Sequence, residues 1–263
     1  MNLEKALFVE SMQQLQQLDL SQYSRIYFGH ETCDRRIPSL NEFQQAKECC
    51  AEKKLSFSLV TPFCTNAGIK SLTPLLETLS KQDELIVNDF GVLQLASKQT
   101  KARIVVGRLL NRQYRDPRIA FFKNPPKEMM QHLCSSHASS SLFLSLLKKF
   151  HVERIELDNL LQGIETDLSN TGFSASLYTP FVFVSATRLC LTANCDSLSH
   201  SKKVGVMPCG KQCLNYSFML DNKQLKKPLF LFGNALYFEN KKIPNCLEKK
   251  GINRLVFISK NLP

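Results

Sequence analysis

No run of 18 apolar residues occurs in the 263-residue chain, which argues against any membrane-spanning helix. The opening Met1-Asn-Leu-Glu-Lys-Ala-Leu7 has no apolar core of the secretory kind, so a cytoplasmic protein is expected. Internal repeats, low-complexity tracts and linker-like stretches are also missing, and one domain over residues 1–263 is expected. Gly-x-Ser-x-Gly, a complete Walker loop, Gly-x-Gly-x-x-Gly and His-Glu-x-x-His are all absent. Serine hydrolase, P-loop nucleotidase, Rossmann dehydrogenase and zincin chemistry therefore have no anchor here.

What is present is the composition of a folded domain. Apolar residues make up 43% and charged residues 22%, with mean hydropathy −0.17, which excludes a disordered, collagen-like or coiled-coil chain. Short apolar runs at 24–29, 55–60, 84–87, 103–107, 152–157 and 173–178 read as strands, with 227–232 and 254–258 as late ones. Between them, 39–53 (Ser39 as N-cap), 72–80, a short stretch to Ser97 and 138–149 read as helices. Leu3 to Leu20 reads as an amphipathic segment leading into the first strand, 109–126 as a basic, Pro-interrupted loop and 190–213 as irregular. Alternation of this kind predicts an α/β fold with a largely parallel sheet, and the length favours a TIM-barrel-like closure, possibly incomplete, over a doubly wound sheet. In such barrels chemistry sits at the carboxyl ends of the strands. His30-Glu31-Thr32-Cys33, Asn88-Asp89, Arg108 and Asp158-Asn159 all fall at such ends and should face one rim.

The formal charge of +11 is uneven. Residues 98–127 hold nine basic side chains against Asp116, a local +8, and residues 202–260 hold twelve against Asp221, Glu239 and Glu248, a local +9. Such stretches fit either an anionic partner, such as RNA, a phosphorylated substrate or an acidic protein surface, or a solvated face. Arg108, Arg112, Arg115 and Arg118, spaced four, three and three, would share one face of a helix, although Asp116-Pro117 argues for a turn there. Tyr114 and Phe121-Phe122 between them would suit an RNA contact.

Ten cysteines without a secretory signal read as reduced thiols, and clustered ones as metal ligands before disulfides. Cys64 and Cys134, flanked by apolar residues, read as small core residues. Cys190-x4-Cys195-x13-Cys209-x3-Cys213 places four thiols in 24 residues. Four thiolates can hold tetrahedral zinc or an iron–sulfur cubane, and a cubane can draw one ligand from elsewhere in the fold; spacing alone leaves both open.

Three segments resemble UbiV-type proteins of the collagenase-like (PrtC-type) peptidase family, in its iron–sulfur-binding branch. They are Tyr27-Phe28-Gly29-His30-Glu31-Thr32-Cys33-Asp34-Arg35-Arg36, Ile86-Val-Asn-Asp-Phe-Gly-Val-Leu93 and Pro180-Phe-Val-Phe-Val-Ser-Ala-Thr-Arg-Leu-Cys190-Leu-Thr192. Cys209-x3-Cys213 is similar to the family's closing cysteine pair, and the resemblance runs in order over about residues 20 to 215. It implies a 4Fe–4S cluster on Cys33, Cys190, Cys209 and Cys213, with Cys195 surplus. It further implies a role in oxygen-independent hydroxylation in ubiquinone biosynthesis, as a heterodimer with a UbiU-like paralogous subunit. No nucleophile–base constellation supports peptidase activity, and the catalytic residues are open. Two alternatives are an RNA (tRNA or rRNA) hydroxylation-associated relative and a zinc-stabilised, non-enzymatic binding module. His30 and Glu31, beside Cys33, could act in proton transfer or simply be hydrogen-bonded in place, and Asp89, Glu156 and Asp158 could be rim carboxylates.

Overall fold

The computed structural model describes residues 3–197 and 209–259. Seven strands come first: β1 (Glu4–Val9), β2 (Arg25–Gly29), β3 (Ser56–Val60), β4 (Glu84–Val87), β5 (Arg103–Val106), β6 (Val152–Asp158) and β7 (Ser174–Thr179). Four more follow away from them: β8 (Phe181–Ala186), β9 (Ser217–Leu220), β10 (Leu229–Phe232) and β11 (Ala235–Glu239). The last strand, β12 (Ile252–Ile258), inserts between β7 and β1 with parallel pairing on both sides, closing an eight-stranded parallel barrel. The expected TIM-barrel-like α/β fold is therefore present, and closure excludes the doubly wound sheet.

Among the described residues six helices lie between the strands: α1 (Met12–Gln17), α2 (Leu40–Glu52), α3 (Asn66–Thr78), α4 (Phe90–Gln99), α5 (Lys127–Cys134) and α6 (Ser141–Lys149). Ser39 caps α2 in a full capping box with Glu42, satisfying two otherwise orphaned groups at that terminus. The apolar faces of the helices pack on the outward residues of the strands, around Phe43, Leu72, Leu76, Leu93 and Leu147. Among the described residues no helix is long and apolar enough to cross a membrane.

The Leu3–Leu20 expectation needs correction. Its first half is β1, and only Met12–Gln17 is helical, starting at the N-cap Ser11. Ala6 to Val9 are buried in succession, so this strand lacks the alternation that marks a half-exposed one.

β8, β11, β10 and β9 form, in that order, an antiparallel sheet laid over the carboxyl mouth of the barrel. Its apolar face, with Phe181, Phe183, Phe230, Phe232 and Tyr237, shares one buried cluster with Phe8, Tyr27, Val60, Ile86, Val105 and Tyr178 from inside the barrel. Sheet and barrel thus form one packed unit, and the mouth that most barrels leave open is filled with aromatic rings. An antiparallel sheet with one apolar face must bury that face, and the barrel mouth is where it does so.

Candidate functional site

Glu31, Arg108 and Asp158 stand at the carboxyl ends of β2, β5 and β6 and converge beneath the four-stranded antiparallel sheet, the cap of the barrel. Arg108 donates from Nε and Nη2 to the two carboxylate oxygens of Glu31, at 2.9 and 2.6 Å. Its Nη1 donates to Asp158 Oδ1 at 2.7 Å and to the Phe181 carbonyl at 2.9 Å. The guanidinium also lies 4.2 Å from the Tyr178 ring centroid and is fully buried. Arg115 completes the group, donating from Nε to Asp158 Oδ2 at 2.5 Å and from Nη2 to the Arg108 carbonyl.

The loop expected over 109–126 and the turn at Asp116-Pro117 are present: residues 109–116 are loop, followed by a 3-10 turn over Pro117–Phe121, so the conditional helix face does not form. Arg108 and Arg115 point inward onto carboxylates, while Arg112 is exposed and Arg118 is exposed and paired with Asp116. Two of the nine basic side chains in 98–127 are therefore spent inside the fold.

Beside the cap, the chain forms a cavity of about 490 Å³ lined by Cys33, Cys190, Cys209 and Cys213. Three chain segments deliver the thiols. Cys33 follows β2, where Gly29 at φ +133 passes so close to β3 that a Cβ would lie 2.2 Å from the Val60 carbonyl oxygen. Cys190 follows β8, and Cys209 and Cys213 precede β9. Pro208 lies outside the described residues. Cys195 is exposed and does not line the cavity.

Each of the four thiols meets a protein hydrogen-bonding group. The backbone N–H of Arg35 bonds to Cys33, and that of Lys211 to Cys209 Sγ at 3.4 Å. Arg36 Nη1 donates to Cys213 Sγ at 3.5 Å, and the Thr192 hydroxyl lies 3.1 Å from Cys190 Sγ. Burial pushes the Cys33 thiol up to about 11, with the Arg35 bond opposing and Cys213 and Cys190 adding to the rise. Such a thiol keeps its proton until a metal displaces it.

Among the described residues no three His, Cys, Asp or Glu side chains stand ready-gathered around one metal position. Cys33, Cys190, Cys209 and Cys213 share one cavity, and four thiols are a donor set that either tetrahedral zinc or an iron–sulfur cubane can use.

The other predicted rim residues are placed as follows. His30 Nδ1 accepts from the backbone N–H groups of Thr32 and Cys33, at 3.2 and 3.1 Å, so a neutral ring carries its proton on Nε2, 3.6 Å from Glu10. The ring thus shapes the cysteine loop. Asp89 caps α4 by accepting from the Val92 N–H. Glu156 is not on the rim but inside the barrel, where Tyr27 OH donates to its Oε1 at 2.9 Å. Cys134 is buried and Cys64 half-buried. Sequence reasoning missed Asn234, whose side chain ties the Cys33 loop to the cap; a Gly-Asn pair between two apolar runs, the mark of a tight hairpin, was the available signal.

No family profile matches the chain, and no curated protein is similar to it. Among solved structures, a copper homeostasis protein CutC from Streptococcus agalactiae aligns at TM-score 0.42 and 12% identity, over 67% of this chain and 87% of that one. A glycoside hydrolase family 18 N-acetylglucosaminidase from Paenibacillus barengoltzii aligns at TM-score 0.41 and 9% identity, over 97% and 94%. At these levels neither likeness bears on chemistry.

Proposed function

We propose that this chain is a 4Fe–4S protein of the UbiU/UbiV type that acts in oxygen-independent hydroxylation in ubiquinone biosynthesis, in the cytoplasm and with a UbiU-like paralogous subunit. The observation that carries the reading is the convergence of Cys33, from the first third of the chain, with Cys190, Cys209 and Cys213 around one cavity, each thiol facing a hydrogen-bonding group. When bound, the cluster supplies the redox centre that a hydroxylation without O2 needs. The chain's own residues supply thiolate ligands, donated hydrogen bonds at Cys33, Cys209 and Cys213 that spread the ligands' negative charge, and a Cys33 loop braced by His30 and Glu31.

The test is made in a host that makes ubiquinone without oxygen and lacks its own gene of this type. Wild-type protein is expected to restore anaerobic ubiquinone, and Cys33→Ala, at equal protein level, to leave under-hydroxylated precursors, both read by mass spectrometry. Full restoration by Cys33→Ala would overturn the proposal.

A further inference from the structure

Two of the three cysteine-bearing segments are hydrogen-bonded to the two-residue turn Gly233–Asn234 that joins β10 to β11, and the third packs beside it. Asn234 Nδ2 donates to the Thr32 carbonyl at 2.6 Å, and Thr32 Oγ1 donates back to Asn234 Oδ1 at 2.8 Å, which holds the residue next to Cys33. The same Nδ2 donates to the Thr187 carbonyl at 3.1 Å, and the Thr187 N–H bonds to the Asn234 carbonyl at 3.0 Å, fixing the chain three residues before Cys190. Thr192 Oγ1 donates to the Gly233 carbonyl at 3.1 Å, so its single proton is engaged there and its oxygen is left to accept from the Cys190 thiol. Gly233, at φ +62, places the turn beside the third segment, where an added Cβ would be in ordinary contact with Cys213 Cβ at 3.5 Å. Thr32, Thr192 and Asn234 are all buried, so these bonds are shielded from competing water.

We propose that the Gly233–Asn234 turn is the clasp that sets the spacing of the metal-binding thiols, with Asn234 as its positioning residue and Thr192 as its second point of attachment. The proposal rests on the reading of Cys33, Cys190, Cys209 and Cys213 as ligands of one metal centre. The carboxamide suits the task because only a side chain with both a donor and an acceptor can close the reciprocal pair with Thr32 while also reaching Thr187. Partners that orient ligands without touching the metal change metal affinity by about 10–100-fold when lost.

The full-length apoprotein is titrated without oxygen with Co2+, whose thiolate charge-transfer absorption counts and ranks the coordinating sulfurs. Asn234→Ala and Thr192→Val are expected to weaken cobalt binding about 10-fold or more. Asn240→Ala is the control: Asn240, at the other end of β11, is equally buried and staples the cap by donating to the Asn159 and Leu160 carbonyls, away from the cysteines. It is expected to lower the melting temperature while leaving cobalt affinity at the wild-type value. If Asn234→Ala does not fold, Thr192→Val decides.

Wild-type cobalt affinity in Asn234→Ala and Thr192→Val would overturn the clasp, as would an equal loss in Asn240→Ala. A wild-type protein that binds cobalt through four thiolates but takes up no iron–sulfur cluster would overturn the cluster and leave the clasp standing. Absence of both a thiolate–cobalt signal and cluster uptake in wild type would overturn both; where wild type takes up a cluster but no cobalt, wild-type cluster uptake in Asn234→Ala and Thr192→Val would overturn the clasp.

Discussion

Replacing Arg108 with methionine is expected to destabilise the protein by about 3–5 kcal/mol, the cost of leaving a buried charge without its partner. Arg108 is fully buried and satisfies both oxygens of Glu31 and one of Asp158. Methionine fills much of the volume, so cavity formation contributes little and the stranded Glu31 carboxylate dominates. Arg115 still faces Asp158, so the deficit should fall on Glu31. The double variant Arg108→Met/Glu31→Gln is accordingly expected to recover part of the loss, with a coupling energy of about 1–3 kcal/mol. Arg108→Lys should recover less, because an ammonium cannot make the two-pronged contact with Glu31 while also reaching Asp158. Denaturant unfolding of the four proteins is the measurement. A loss below about 1 kcal/mol in Arg108→Met, a level typical of exposed pairs, would contradict the assignment of this network as the brace between barrel and cap.

The second large effect is a dependence of stability on pH, centred on Glu156. Burial raises its carboxyl to about 7, against the opposing charges of Arg254 and Arg154 and the Tyr27 hydrogen bond; Oε2 has no partner. Between the ordinary value of 4.5 and about 7 the folded chain holds a proton that the unfolded chain has released, so unfolding free energy falls as pH rises. The loss is complete above pH 7 and is on the order of 3 kcal/mol. Glu84, at the base of the barrel, has the opposite sign. Burial pushes its carboxyl up, but the Arg254 hydrogen bonds and the charges of Arg254, Arg25 and Arg154 hold it at about 2, so its contribution is lost as pH falls below 4.5. The two groups thus act in separate windows. Glu156→Gln is expected to leave stability near pH 4.5 almost unchanged, to remove the decline between 4.5 and 7, and to raise the melting temperature at pH 8. At about 2–4 °C per kcal/mol the rise should be plain by calorimetry. An undiminished decline in Glu156→Gln would place its origin elsewhere.

The barrel was legible because buried parallel strands separated by helices leave continuous apolar runs, and Ile26–Phe28, Leu85–Val87 and Ile104–Val106 are of that kind. β1 was not, since four buried residues followed by a short helix present the same apolar density as a single amphipathic helix. Nor was the cap. β9 has only four residues, with Met219 and Leu220 exposed, and nothing local shows that it pairs with β10. The rim residues could be placed at strand ends from sequence, but their pairing could not. Arg108 meets Glu31 across 77 positions and Asp158 across 50, whereas its regular spacing to Arg112 and Arg115 suggested a helix face. Likewise Asn234 finds Thr32 across 202 positions, a relation visible only once the barrel has closed.

The central claim is that a cluster, and not one zinc ion, joins the Cys33 loop to the three late cysteines. Iron, acid-labile sulfide and zinc are to be measured per chain, with the visible spectrum, on protein purified without oxygen, for wild type, Cys33→Ala and Cys195→Ala. The account predicts about four irons and four sulfides in wild type and in Cys195→Ala, with both lost in Cys33→Ala. One zinc and no iron, retained in Cys33→Ala but lost in Cys195→Ala, would contradict it and leave a local structural site on Cys190, Cys195, Cys209 and Cys213.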